Sequence, residues 1–218
     1  GSFQLVLAGI LARDIRAARP QFAGQVDLLF GVELGEPHAN PAQAEALLAA
    51  YPFDVVIGSL HAMPNDLDLY DHDYDHLDCD ALLRDYFAEV VRMEQYGGFD
   101  VLAHLDYPLR VMKRPGNHPS FDNFMEHILP VLREAVARGY AIECNAATLF
   151  SWMERPGPDR WILEEYRRLG GERVSFGSDA HRAADIGRGA AVYRDYLRAL
   201  GFDHLTVFRG RKAEAYPL

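Results

Sequence analysis

Four apolar runs in the sequence are each followed, within a few residues, by a side chain able to bind a metal ion. Glu33 follows Leu29-Phe30-Gly31-Val32, and His61 follows Val55-Val56-Ile57 through Gly58-Ser59-Leu60. His104, with Asp106 just beyond it, follows Val101-Leu102-Ala103. Asp179 and His181 follow Val174-Ser175-Phe176 through Gly177-Ser178. Imidazole with carboxylate suits Zn, Mn or Fe, and a carboxylate such as Glu33 can bridge two ions. Taken singly, a His after a strand is commonly a hydrogen-bonded structural residue, and an Asp after Gly-Ser is commonly a helix cap. Recurrence after four separate runs is what those explanations leave uncovered, and it predicts a metal site.

The elements that must position these side chains alternate along the chain. Short β-rich runs predict strands at Val26–Val32, Val55–Ile57, Val101–Ala103, Tyr140–Glu143 and Val174–Phe176, with a weaker one at Leu205–Phe208. Between them, apolar residues at three- and four-residue intervals predict helices at Gln4–Arg19, Pro41–Ala50, Cys79–Tyr96, Phe121–Ala137, Asp159–Leu169 and Asp185–Leu200. Asn40-Pro41 offers a cap and a first-turn proline, while Gly139 and Gly170-Gly171 offer helix stops. Repeated strand–helix alternation implies an α/β fold of parallel strands covered by helices. In such folds the loops after the strands form one face, and catalytic groups collect there.

Composition narrows the function classes. The 218 residues suit one domain with a sizeable core. A net charge of -10, from 32 acidic and 22 basic residues, opposes non-specific attraction to nucleic acid or anionic membrane. Cys79 and Cys144 lie far apart with no CxxC pairing, which fits a reducing cytoplasm. The apolar run Leu5 to Ala12 is far shorter than the roughly 20 residues of a spanning helix, and its arginines follow it rather than precede it. It reads as a helix packed on a core.

Gly31-Val32-Glu33-Leu34-Gly35, Ile57-Gly58-Ser59-Leu60-His61, Leu102-Ala103-His104-Leu105-Asp106 and Gly177-Ser178-Asp179-Ala180-His181-Arg182 occur in that order. Together they resemble the later motifs of the PHP (polymerase and histidinol phosphatase) superfamily, in its histidinol-phosphatase branch. Ile142-Glu143-Cys144-Asn145 is similar to that branch's sixth-strand motif. The resemblance implies a distorted seven-stranded (β/α) barrel, TIM-like, carrying up to three divalent ions at the strand C-termini. It implies that Glu33 bridges two ions, that His61 and His104 bind one of them, that Asp179 binds another and His181 the third. Glu33 and Asp179 would then be the catalytic carboxylates. The family opens with a His-x-His strand and a second strand ending in His, whereas this chain opens in a helix after Gly1-Ser2. The expectation is a single PHP-type domain, residues 1–218, with its N-terminal strand or strands missing because the chain is a fragment; a degenerate member is the alternative.

The activity implied is hydrolysis of a phosphate monoester, L-histidinol phosphate first, by a metal-activated hydroxide. Another small phosphate ester or nucleotide, and a non-catalytic binding domain, are the alternatives. No nucleic-acid or membrane partner is expected. Phosphate recognition needs cations: Arg182 is the first candidate and Arg110 the second, with Lys113 or Arg114 assisting. Asp106 could orient a ligating His or simply cap a turn. His38 is expected to face water, Asp71–His76 to form an exposed acidic loop, and Cys144 to be a small core residue. His118, His127 and His204 read as structural, and Trp152 and Phe150 as packing residues.

Overall fold

The computed structural model describes residues 2–112 and 120–218. Helix α1 (Ser2–Ala18) leads into strand β1 (Gly31–Gly35), helix α2 (Pro41–Ala50) and strand β2 (Val55–Ser59). Then come α3 (Cys79–Tyr96), β3 (Val101–Leu102), a short α4 (Tyr107–Val111), α5 (Met125–Arg138) and β4 (Ala141–Asn145). The chain continues through α6 (Arg160–Arg168), β5 (Val174–Gly177) and α7 (Ala190–Ala199) to a hairpin, β6 (His204–Arg209) and β7 (Lys212–Pro217).

Strands β1 to β5 form one parallel sheet in chain order, so the alternation read from the sequence is realised as an α/β fold. Alternate residues of the strands are buried on opposite faces. Val56, Leu102, Ile142, Cys144 and Val174 face the main core under the helices, whereas Val101 and Ala141 meet Phe208, with Val55 and Ile57 packed around them. A parallel sheet covered on both sides reads as continuous apolar runs, which is how these strands were legible.

The hairpin is fastened beneath the strand N-termini by two carboxylates. Asp54 accepts hydrogen bonds from the Phe30 and Gly210 amides at 2.8 and 3.1 Å and from Arg19 at 2.6 Å. Asp100 accepts from the Val56 amide at 2.8 Å and from Arg211 Nε at 2.5 Å. These bonds leave the opposite, C-terminal ends of the strands open for chemistry.

Several boundaries differ from expectation. The first strand pairs only over Gly31–Gly35 rather than Val26–Val32, because its ladder with β2 begins at Gly31 opposite Val55. The last helix starts at Ala190 rather than Asp185, since Gly187 and Gly189 take positive φ and a 3₁₀ turn fills Ala183–Asp185. Helix α5 starts at Met125 rather than Phe121, and β6 pairs antiparallel with β7, a strand outside the sequence expectation. Asn40 precedes α2 without its side chain capping it, whereas Gly139 closes α5 in the left-handed conformation as expected. Helix α1 packs on the core only in part: Ala8 is buried, but Leu7, Ile10 and Leu11 are exposed.

Candidate metal centre

Glu33 lies within β1, and His61 and His104 each stand two residues beyond the ends of β2 and β3. Because these strands are adjacent and parallel, the three side chains meet at one end of the sheet. Glu33 Oε1 is 3.3 Å from His61 Nε2 and 3.4 Å from His104 Nε2, and ligand atoms of all three fall within 4.8 Å of one another. Zinc bonds of about 2.0–2.2 Å in tetrahedral geometry separate neighbouring ligand atoms by about 3.3–3.6 Å. The spacing, and the pairing of two imidazoles with a carboxylate, therefore fit a divalent ion.

The charges of the three side chains depend on one another. The Glu33 side chain is 44% exposed, so desolvation opposes its ionisation only in part, and hydrogen bonds and charge from His104, Ser59 and His61 outweigh it and hold the carboxyl at about 2. His61 is pushed down, first by burial and then by the neighbouring His104, which favours the neutral imidazole that binds metals. Burial also works against His104's charge, yet Glu33 and Glu143 raise it on balance. Ser59 Oγ lies 3.4 Å from His61 Nδ1, leaving Nε2 to face Glu33. Tyr107 packs against both rings, with centroids 4.9 Å from His61 and 5.2 Å from His104.

Asp179 and His181 form a neighbouring group rather than part of this triad. His181 Nε2 is 3.3 Å from Asp179 Oδ1 and its side chain is 88% exposed. Arg110 Nη1 is 3.3 Å from Asp179 Oδ2, with its side chain only 13% exposed. Asn145 joins the two groups, its Nδ2 reaching Glu143 Oε2 at 3.2 Å and Asp179 Oδ2 at 3.4 Å. Asp179 takes a positive φ of 51°, a conformation uncommon outside glycine and compatible with Asp. Arg182 is exposed at the head of the 3₁₀ turn Ala183–Asp185. Lys113, Arg114 and His118 lie outside the described residues.

Other expectations met different outcomes. Asp106 neither caps α4 nor hydrogen-bonds His104; both its oxygens are buried without a hydrogen-bond partner among the described residues, and burial raises its pKa. His38 does not face water: Nε2 lies 2.6 Å from Glu89 Oε1, with the side chain 12% exposed. It helps line a pocket of about 200 Å³ together with Glu36, Asn65, Asp66 and Glu89. Asp71, Asp73, Asp75 and His76 are exposed as expected, although Tyr74 of the same segment is buried. Cys144 is fully buried and its thiol raised by that burial, as suits a core residue. Trp152 packs against the core, but Phe150 is exposed beneath the Arg188 guanidinium, 3.7 Å from its ring centre. Sequence reasoning gave no role to Tyr107, Glu36 or Asn145; Tyr107's place beside Asp106 in the His104 motif was the available signal.

No family model matches the chain. It is 39% identical over 137 residues to a probable histidinol-phosphatase of Thermotoga maritima, a match covering 62% of this chain and 56% of that protein's length. It is 30% identical over 207 residues to a probable histidinol-phosphatase of Deinococcus radiodurans, covering 92% of this chain and 75% of the relative. In fold it is similar to a histidinol phosphate phosphatase of Lactococcus lactis, solved as a complex with zinc, L-histidinol and phosphate. That likeness has a TM-score of 0.80 at 21% identity and covers 94% of this chain and 79% of the other. On the extent and identity of the Deinococcus match, the chain belongs to the histidinol-phosphatase family of the PHP superfamily.

Proposed function

We propose that this protein is a metal-dependent phosphomonoesterase that hydrolyses L-histidinol phosphate to L-histidinol and phosphate, a step of histidine biosynthesis carried out in the cytoplasm. The observation that carries the reading is the convergence of Glu33, His61 and His104 at 3.3–3.4 Å in a chain of this family. Zinc is the first choice of ion, because the similarly folded Lactococcus enzyme holds it; Mn and Fe suit the same donors. The proposal extends to up to three ions, with Asp179 and His181 as further ligands, to a (β/α)7 barrel, and to residues 1–218 acting as one domain. Among the described residues no helix is long and apolar enough to cross a membrane.

Hydrolysis forms a bond from phosphorus to a water oxygen, breaks the bond to the alcohol oxygen and returns a proton to the leaving alkoxide. Divalent ions in the site would supply charge neutralisation and a more acidic water. Glu33 contributes a carboxylate that stays ionised throughout the neutral range and can accept charge-assisted bonds. Phosphate binding is assigned first to Arg182, an exposed cation following Asp179 and His181 in sequence, and second to Arg110, supported by its burial and its pairing with Asp179. The acceptor-rich pocket of Glu36, His38, Asp66 and Glu89, beside His61, suits the cationic part of an amino-alcohol phosphate.

Phosphate release should be measured on L-histidinol phosphate, ethanolamine phosphate, glycerol phosphate and a nucleotide, before and after chelation and with added zinc or manganese. The proposal expects preference for the amino-alcohol esters, loss on chelation and recovery with metal. Equal rates on all four would sink the substrate assignment, and turnover that survives complete chelation would sink the metal reading.

A further inference from the structure

Both histidines of the triad are held by the backbone in the same way, from adjacent strands on opposite sides. The His61 amide, just past β2, donates to Glu36 Oε1, and Glu36 lies just past the paired strand β1. The His104 amide, just past β3, donates to Glu143 Oε2 at 2.9 Å, and Glu143 lies in the paired strand β4. A carboxylate therefore replaces the ladder partner at the point where each strand has ended and its ligand begins.

Each carboxylate is itself constrained. Glu36 Oε1 also accepts from the Ala62 amide at 3.2 Å, so one oxygen grips two successive amides of the His61 loop. Glu36 adopts φ of 46°, a left-handed conformation that costs a non-glycine residue free energy and persists only where contacts over-determine it. Glu143 is buried, and Asn145 donates to the same oxygen that accepts from His104. Gly177 leaves room for it on β5, since a methyl group there would overlap Glu143 Oε1. Glu33, by contrast, approaches the ring nitrogens of the same two histidines. One carboxylate meets the imidazoles, and two others fix the backbone from which they project.

We infer that Glu36 and Glu143 are positioning residues, a matched pair of carboxylate clamps that set the separation of His61 and His104 and so the metal affinity of the site. The inference rests on the metal reading above. Partners of this kind are commonly needed at close to full ligand quality, and their loss costs about 10–100-fold in metal affinity. A glutamine keeps an acceptor oxygen at the same reach and loses the charge, so it separates positioning from simple attraction of a cation.

The test uses Co²⁺ as a probe, with its affinity and visible absorption bands read on the intact protein and on Glu36→Ala, Glu36→Gln, Glu143→Ala and Glu143→Gln. Each alanine variant should bind about 10–100-fold more weakly with altered bands, and each glutamine variant should recover the bands and most of the affinity. Alanine variants that bind as the parent does, or glutamine variants as weak as alanine, overturn the clamps while leaving the metal reading in place. A parent protein that takes up no Co²⁺ overturns the metal reading itself. Hydrogen exchange of the parent without metal gives an independent check should an alanine variant fail to fold. The His61 and His104 amides should exchange slowly, and unprotected amides at both positions would refute the clamps.

Discussion

The phenol of Tyr107 donates a 2.6 Å hydrogen bond to Asp68 Oδ1 while its ring lies against both candidate histidine ligands. Asp68 also accepts from the Tyr70 amide at 2.8 Å, so the tie anchors the loop after β2 to the helix after β3. Burial first, and Asp68 second, keep the phenol protonated well above its ordinary range, so it remains a donor at any working pH. Tyr107→Phe, which keeps the ring, should hold metal within a few-fold of the parent. Tyr107→Ala should lose on the order of tenfold in metal affinity and about 2 kcal/mol of stability in urea. If the phenylalanine variant were as impaired as alanine, the hydrogen bond rather than the ring would be the support.

The two candidate phosphate cations should separate kinetically. Arg182 is exposed, so Arg182→Ala should raise KM more than it lowers kcat, the signature of binding shared by ground and transition states. Arg110 is largely buried against Asp179, and its loss also leaves that carboxylate without its cation. Arg110→Ala should therefore reduce kcat, on the order of tenfold or more. Steady-state kinetics on L-histidinol phosphate decide the matter; an unchanged KM in Arg182→Ala would return Arg182 to ordinary surface charge.

The parallel core and the convergence of Glu33, His61 and His104 were legible because each rests on local signals: a buried β run, then a polar residue where the run ends. The carboxylates that accept from the His61 and His104 amides had no legible role, because their partners are distant in sequence. Glu143 meets the His104 amide across 39 residues, and Glu36 meets the His61 amide across 25. Strand β7 was missed because all six residues of Lys212–Pro217 are exposed and its alternating apolar residues, Ala213 and Ala215, are too small to mark a buried face; its pairing with β6 defines it. The first strand was placed too early for the opposite reason: Val26, Leu28 and Leu29 supply apolar residues, but the ladder to β2 begins only at Gly31.

Glu94, on α3, is fully buried, and neither carboxylate oxygen has a hydrogen-bond partner among the described residues. Burial, reinforced by Glu134, raises its pKa well above the usual carboxylate range. The folded state therefore keeps a proton that the unfolded chain releases, and stability falls as pH rises above the unfolded value toward the folded one. Glu94→Met removes the buried polar group. It should stabilise the protein by about 1–3 kcal/mol near pH 8, with the gain shrinking as the pH approaches 4. Urea unfolding at both pH values measures this, and a pH-independent difference would contradict the titration.

The most direct test of the central claim is the position of a metal ion in crystals grown with excess zinc, located by anomalous scattering. A peak is expected about 2.0–2.2 Å from a Glu33 carboxylate oxygen, His61 Nε2 and His104 Nε2. Glu33→Gln should lose this peak together with turnover, on the order of a hundredfold or more. A peak bound elsewhere, with these three side chains empty in an active protein, would contradict the claim.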